Sequence, residues 1–138
     1  MRIAVVDGQG GGIGKAIVES LRNTFGDTIE IVALGSNALA TAAMLKAGAT
    51  EGASGENAVA VTVRKVDIII GSVAIIAANS MLGELTPKMA RAIAESTAKK
   101  ILIPLNRCNL HVAGIQSVSL PQHIANVIDM VKSSVNNN

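Results

Sequence analysis

Val5-Val6-Asp7-Gly8-Gln9-Gly10-Gly11-Gly12-Ile13-Gly14-Lys15-Ala16-Ile17-Val18 decides how this chain is read. Ile3 to Val6 is an apolar run of strand length, five of the next eight positions are glycine, and a helical apolar spacing begins at Ile13. Strand, glycine loop and helix in that order form a nest for an anion. Without a Cβ in the way, main-chain N–H groups can close on a negative group, and the first turn of the following helix aims its unpaired N–H groups and positive dipole end at the same place. The stretch therefore suggests a phosphorylated ligand.

Two glycine codes compete for this loop. The dinucleotide spacing G-x-G-x-x-G fails, because Gly8 and Gly10 would require glycine at Ile13, and Gly10 and Gly12 would require it at Lys15. The spacing G-x-x-x-G-x-G fits as Gly8, Gly12 and Gly14. Continuing through Lys15-Ala16-Ile17, it resembles the opening of short-chain dehydrogenases over about the first twenty residues, which implies an NAD(P)-binding Rossmann fold. The rival is the P-loop, G-x-x-x-x-G-K-[ST]. Gly14-Lys15 supplies its second half, but Gln9 replaces its first glycine and Ala16 its metal-ligating hydroxyl. Gly10 to Lys15 also resembles the deviant P-loops of ParA-like ATPases, whose signature Lys would stand at Gly10. An NTPase built here would lack its magnesium anchor.

The order of elements extends the fold. Ile13, Ile17, Val18, Leu21 and Phe25 share one face of a first helix that Gly26 ends. Thr28 to Leu34 predicts a second strand, Gly35-Ser36-Asn37 a turn, and Asn37 to Ala47 an alanine-rich helix closed by Gly48. Ala49 to Ala53 reads as a short third strand. Val59, Val61 and Val63 alternate like a strand, yet a parallel sheet needs a crossover between residues 55 and 65, so this segment is expected to be helical. Val66 to Ser72 is the fourth strand, and Ala74 to Leu82 reads as a helix. Thr86-Pro87 caps another helix to about Thr97, Lys100 to Leu105 gives a fifth strand, and Leu110 to Ile115 a sixth. Ser119-Leu120-Pro121 opens a last helix burying Leu120, Ile124, Val127, Ile128, Val131 and Val135, and residues 136–138 should fray. The alternation specifies an α/β class: a doubly wound, mostly parallel sheet of five to six strands in a Rossmann-like three-layer sandwich, one domain over residues 1–135.

In such a sheet the ligand crevice opens at the carboxyl ends of strands one and four. The expected site is therefore Gly8, Gln9, Gly10, Gly11, Gly12, Ile13, Gly14 and Lys15, with Gly35, Ser36 and Asn37 after the second strand and Gly71 and Ser72 after the fourth. An Asp or Glu ending strand two would take the ribose of NAD, and Leu34-Gly35-Ser36-Asn37 offers none. Ser36 and Asn37 could bond a 2′-phosphate, so the expected cofactor is NADP or NAD, with a mononucleotide or other phosphorylated metabolite as alternative. Catalysis is another matter. The dehydrogenases use a Tyr whose hydroxyl is tuned by a Lys four residues on, and this sequence has no tyrosine. Asn106, Cys108 and His111 are the remaining candidates for a small enzyme acting on a phosphorylated metabolite, with Cys108 as nucleophile and His111 as its base. Asp7 is expected to bond the loop amides. One Cys and two His, at 108, 111 and 123, give no metal-ligand spacing, so no metal is expected.

Composition narrows the remaining classes. Net charge is +2, aromatics are 1%, and no basic cluster appears, which argues against nucleic acid. The longest apolar run, Ile68 to Ala78, is broken by Gly71 and Ser72 and is far short of the roughly 20 residues of a membrane span. With Met1 leading straight into a strand and a single cysteine, a cytoplasmic location is expected. Hydrophobic residues make up 49% of 138, and mean hydropathy is +0.45, which fits a sheet covered on both faces and predicts a homo-oligomer formed through apolar surface near Ile75 to Leu82. Over its whole length, through Ala33 to Ala49, Ile76 to Ala90 and Ile101 to Gly114, the chain resembles a family of small bacterial proteins classed as a domain of unknown function. That resemblance implies a free-standing protein and carries no activity. The expected role is thus binding of a nucleotide, with a small enzyme or a structural subunit as alternatives.

Overall fold

The computed structural model describes residues 1–105 and 109–137. Its centre is a sheet of five parallel strands in the order β3-β2-β1-β4-β5, formed by β1 Arg2–Asp7, β2 Glu30–Gly35, β3 Glu51–Ser54, β4 Ile68–Ser72 and β5 Lys99–Ile103. Five helices cover it: α1 Gly12–Phe25, α2 Ala38–Lys46, α3 Glu56–Thr62, α4 Pro87–Glu95 and α5 Leu120–Asn136. This is a Rossmann-like three-layer α/β fold.

Side-chain alternation along the strands divides the core between two faces. Ile3, Val5, Ile31, Ile68 and Ile70 meet Ile17, Val18 and Leu21 of α1, Met44 of α2 and Ile124, Val127 and Val131 of α5. Ala4, Val6, Val32, Leu34 and Ile69 meet Val59 and Val63 beside α3, and Met89 and Ile93 of α4. Strands buried on both faces must be apolar in their middle, as Ile3 to Val6 of β1 and Ile68 to Ile70 of β4 are. At the opposite end of the sheet from the glycine loop, Asp67 accepts the Arg2 amide at 2.7 Å while Arg2 pairs with Glu30 and Glu51, both at 2.7 Å, tying the amino-terminal ends of the strands.

The crossover between β3 and β4 is helical, as a parallel sheet demands. Val59 and Val63, four residues apart, are buried, and Val61 is half exposed. Two expectations are corrected. Ala74 to Leu82 is not an α-helix: a 3-10 turn at Val73–Ile76 gives way to successive turns in which Asn79, Met81 and Leu82 have φ of +66°, +57° and +56°. Left-handed residues cannot propagate a right-handed helix. Nor do residues 110–115 add a sixth strand to the described sheet. Pro104 follows β5 without an N–H for a ladder, and Leu105 bonds back to Ile103, turning the chain away. Within the stretch Ile75 to Leu82, Ile75 is fully buried while Ile76, Ala78 and Leu82 are exposed.

Candidate functional site

The glycine loop leaves β1 at Asp7 and enters α1 through Gly11, whose φ of +75° and approach to Ala40 exclude a side chain: a Cβ there would lie 2.8 Å from the Ala40 Cα. The loop is held from both sides by carboxylates. Asp7, almost buried at the strand end, accepts from the Gly8 amide at 2.8 Å through Oδ1 and from the Gly14 amide at 2.7 Å through Oδ2. An acid at this point satisfies one of the orphan donors of the α1 first turn and opposes its dipole. Glu84 comes from the segment between β4 and α4. Its Oε1 accepts from the Gln9 amide at 2.9 Å, the Ser36 hydroxyl at 2.7 Å and the Asn37 side-chain amide at 2.6 Å.

Those bonds hold the Glu84 carboxyl below the usual carboxylate range, the Ser36 hydroxyl acting most strongly, then the Gln9 amide, then Asn37, against a smaller opposing effect of burial. The Gly11 amide turns back onto the Gly8 carbonyl. What is left open is the very tip of the helix. Among the described residues the amides of Gly10, Gly12 and Ile13 have no partner.

These three residues, with Asp7, Gly8, Gln9 and Gly11, form one wall of a cleft of about 610 Å³. Ser72 and Ala74 from the end of β4, Met81 and Leu82 from the segment after it, and Leu120 at the start of α5 complete it. The cleft lies where the strand order reverses between β1 and β4, the position at which open α/β sheets bind ligands.

The expected residues thus separate into two groups. Gly8, Gln9, Gly10, Gly11, Gly12, Ile13 and Ser72 line the cleft; Gly14, Lys15, Gly35, Ser36, Asn37 and Gly71 do not. Gly14 is a packing glycine, since a Cβ there would lie 2.6 Å from the Met44 sulfur and 2.9 Å from Asp7 Cβ. Gly35 and Gly71 are similarly closed, by Thr41 and by the Val6 carbonyl. Ser36 and Asn37 are occupied by Glu84, and Asn37 also caps α2 by accepting from the Ala40 amide. Glu84, Met81 and Leu82 were missed by sequence reasoning because their segment reads as an ordinary helical stretch. The one signal was an acid set between Gly83 and the Thr86-Pro87 cap.

Of the candidates for catalysis, Asn106 and Cys108 lie outside the described residues. His111 is exposed, with Nε2 at 3.3 Å from Asn109 Oδ1. Among the described residues no group of three or more His, Cys, Asp or Glu side chains could hold a metal, and no described helix is long and apolar enough to cross a membrane.

A parallel, doubly wound sheet with a glycine loop and a cleft at its switch point defines the class: a Rossmann-like α/β protein. Within that class the chain belongs to the family described as Domain of unknown function (DUF3842), whose model matches residues 2–136. No curated protein and no solved structure matches it.

Proposed function

We propose that this protein binds a phosphorylated small molecule in the switch-point cleft, its phosphate seated on the amides of Gly10, Gly12 and Ile13. The observation that carries this reading is that, among the described residues, these three amides have no partner at the positive end of a 14-residue helix and belong to the wall of an open cleft. Backbone donors so placed bind an anion without needing a basic side chain.

Ligand size follows from the surroundings. In a Rossmann dinucleotide site the adenosine ribose lies beside the end of β2. Here Glu84 occupies that place, and Met81 comes so close that a Cβ on Gly8 would lie 2.6 Å from its sulfur. A mononucleotide or similarly compact phosphorylated metabolite fits the cleft as it stands, whereas NADP or NAD requires the segment carrying Met81 and Glu84 to swing away. Clefts that bury small molecules run from about 300 to 1,000 Å³, a range that includes this one.

The test is a thermal-shift series with AMP, GMP, FMN, ATP, coenzyme A, NAD and NADP, repeated on Gly12→Glu. A carboxylate suits the first turn of a helix and repels a phosphate seated there, and a Cβ at Gly12 meets nothing within 4 Å. A ligand at about 100 times its dissociation constant should add roughly 2.7 kcal/mol of stability to the wild type. The shift should largely vanish in the variant. If no phosphorylated compound raises the melting temperature, or Gly12→Glu responds like wild type, the reading fails.

A further inference from the structure

The β4 tip has a second cleft on its other side, of about 590 Å³, walled by Val73, Leu102, Pro104 and Ile115 and by one face of α5. His123, Asn126, Val127 and Met130 make that face, at the i, i+3, i+4, i+7 spacing that aligns side chains along a helix. The trough is apolar apart from a few groups, and the most telling of these is His123. It is only 8% exposed, yet its ring makes no hydrogen bond among the described residues. No fully sealed side-chain nitrogen or oxygen among them lacks a partner, so each ring nitrogen keeps some accessible surface, and the residue lines both this trough and a smaller polar cavity of about 250 Å³ beside it.

A ring nine-tenths buried, with no partner in the protein, has nitrogens available to a ligand that enters the cleft. Asn126 decides the polarity of that partner. Its Oδ1 already accepts from Gln122 Nε2 at 3.0 Å, which leaves its Nδ2 hydrogens to donate. A neutral imidazole adds one N–H beside one acceptor nitrogen, so donors outnumber acceptors at this end of the trough. Two donors one helical turn apart, above an apolar trough, call for an apolar body ending in an acceptor oxygen.

We infer that this second cleft binds a small apolar molecule with a carbonyl or carboxylate head, the head bonded by His123 and Asn126 and the body packed between β5 and α5. This site shares no wall residue with the glycine-loop cleft and does not rest on the phosphate reading.

Phenylbutyrate, phenylbutanone and phenylbutylamine share an apolar body and differ in the head, so they separate the two terms. Titrated into the wild-type protein and followed by the His123 ring signals in NMR, both acceptor compounds should give saturable shifts, with dissociation constants of about 0.1 to 1 mM, as expected for fragments of this size. The amine should bind at least about tenfold more weakly, the equivalent of one lost hydrogen bond. His123→Phe should remove most of that discrimination, read by ligand-observed NMR, and His123→Gln, which keeps a donor, should restore part of it. Three results would overturn the inference: no saturable shift with any compound, equal binding of amine and acid, or His123 signals that move on diluting the protein alone, which would make the trough a contact between copies of the chain.

Discussion

Asp7 and Glu84 do different work although both accept amides of one loop. Asp7 is almost fully buried and holds the two ends of the loop, Gly8 and Gly14, to the strand. Glu84 is half-buried and joins three separate segments through one oxygen. Replacing Glu84 by Gln keeps the shape and the accepting Oε1 and removes the charge. For a partly exposed group the cost should be about 1 kcal/mol at pH 7, measured by urea denaturation. The pH dependence has a definite sign. Because folding lowers the Glu84 pKa, its contribution is complete above the carboxylate range of the unfolded chain and is lost as pH falls through the folded value. Wild type and Glu84→Gln should therefore converge in stability at acid pH, and a gap that persists to pH about 2 would contradict the charge-based account. Asp7→Asn should be costlier, about 1 to 2 kcal/mol, since it weakens a helix cap inside the structure.

Glycines within one loop also divide by element. Gly14 faces Met44 and Asp7 where α1 crosses β1, so Gly14→Ala pushes the helix off the sheet and should lose about 1 to 3 kcal/mol in chemical denaturation. Gly12 faces open space, so Gly12→Ala should be neutral or stabilising by up to about 1 kcal/mol. Equal destabilisation by the two would mean the loop, not the helix contact, sets the requirement. The contrast shows what was legible beforehand. Period and punctuation located β1, α1, β2, α2, α4 and α5 to within a few residues, because continuous apolar runs and helical stripes are local signals. The requirement for a crossover even settled α3 against its misleading valine alternation. Ala74 to Leu82 failed for the opposite reason: its apolar residues satisfy a helical count, while three left-handed backbone conformations and the Glu84 contacts are fixed by tertiary structure. The lining of the candidate cleft was legible to the same extent. Gly8 to Ile13 and Ser72 follow from strand ends and topology, but the closing of Ser36 and Asn37 depends on a residue nearly fifty positions away.

At the scale of the whole molecule, the strand order brings both clefts to one edge. Successive residues at the end of β4 serve opposite sides, Ser72 and Ala74 the glycine-loop cleft and Val73 the other. Ser72 ends the strand and Val73 opens the 3-10 turn, and the change of backbone geometry there produces this division without any added element. Leu82 stands at the rim of the first cleft, 98% exposed and left-handed at φ +56°. A leucine in that state is costly twice over, in backbone strain and in apolar surface left in water, and contact with a second copy of the chain would relieve the second cost. We propose that the protein self-associates through this residue and Ile76. Leu82→Asn tests both costs together, because Asn tolerates the left-handed region and exposes no apolar surface. Stability of the monomer at high dilution should rise by about 0.5 to 1 kcal/mol. In sedimentation equilibrium the variant should stay at the monomer mass at concentrations where the wild type exceeds it. A wild type that is itself monomeric throughout, or a variant with unchanged mass, would remove Leu82 as the contact while leaving its strain, and the expected gain in stability, in place.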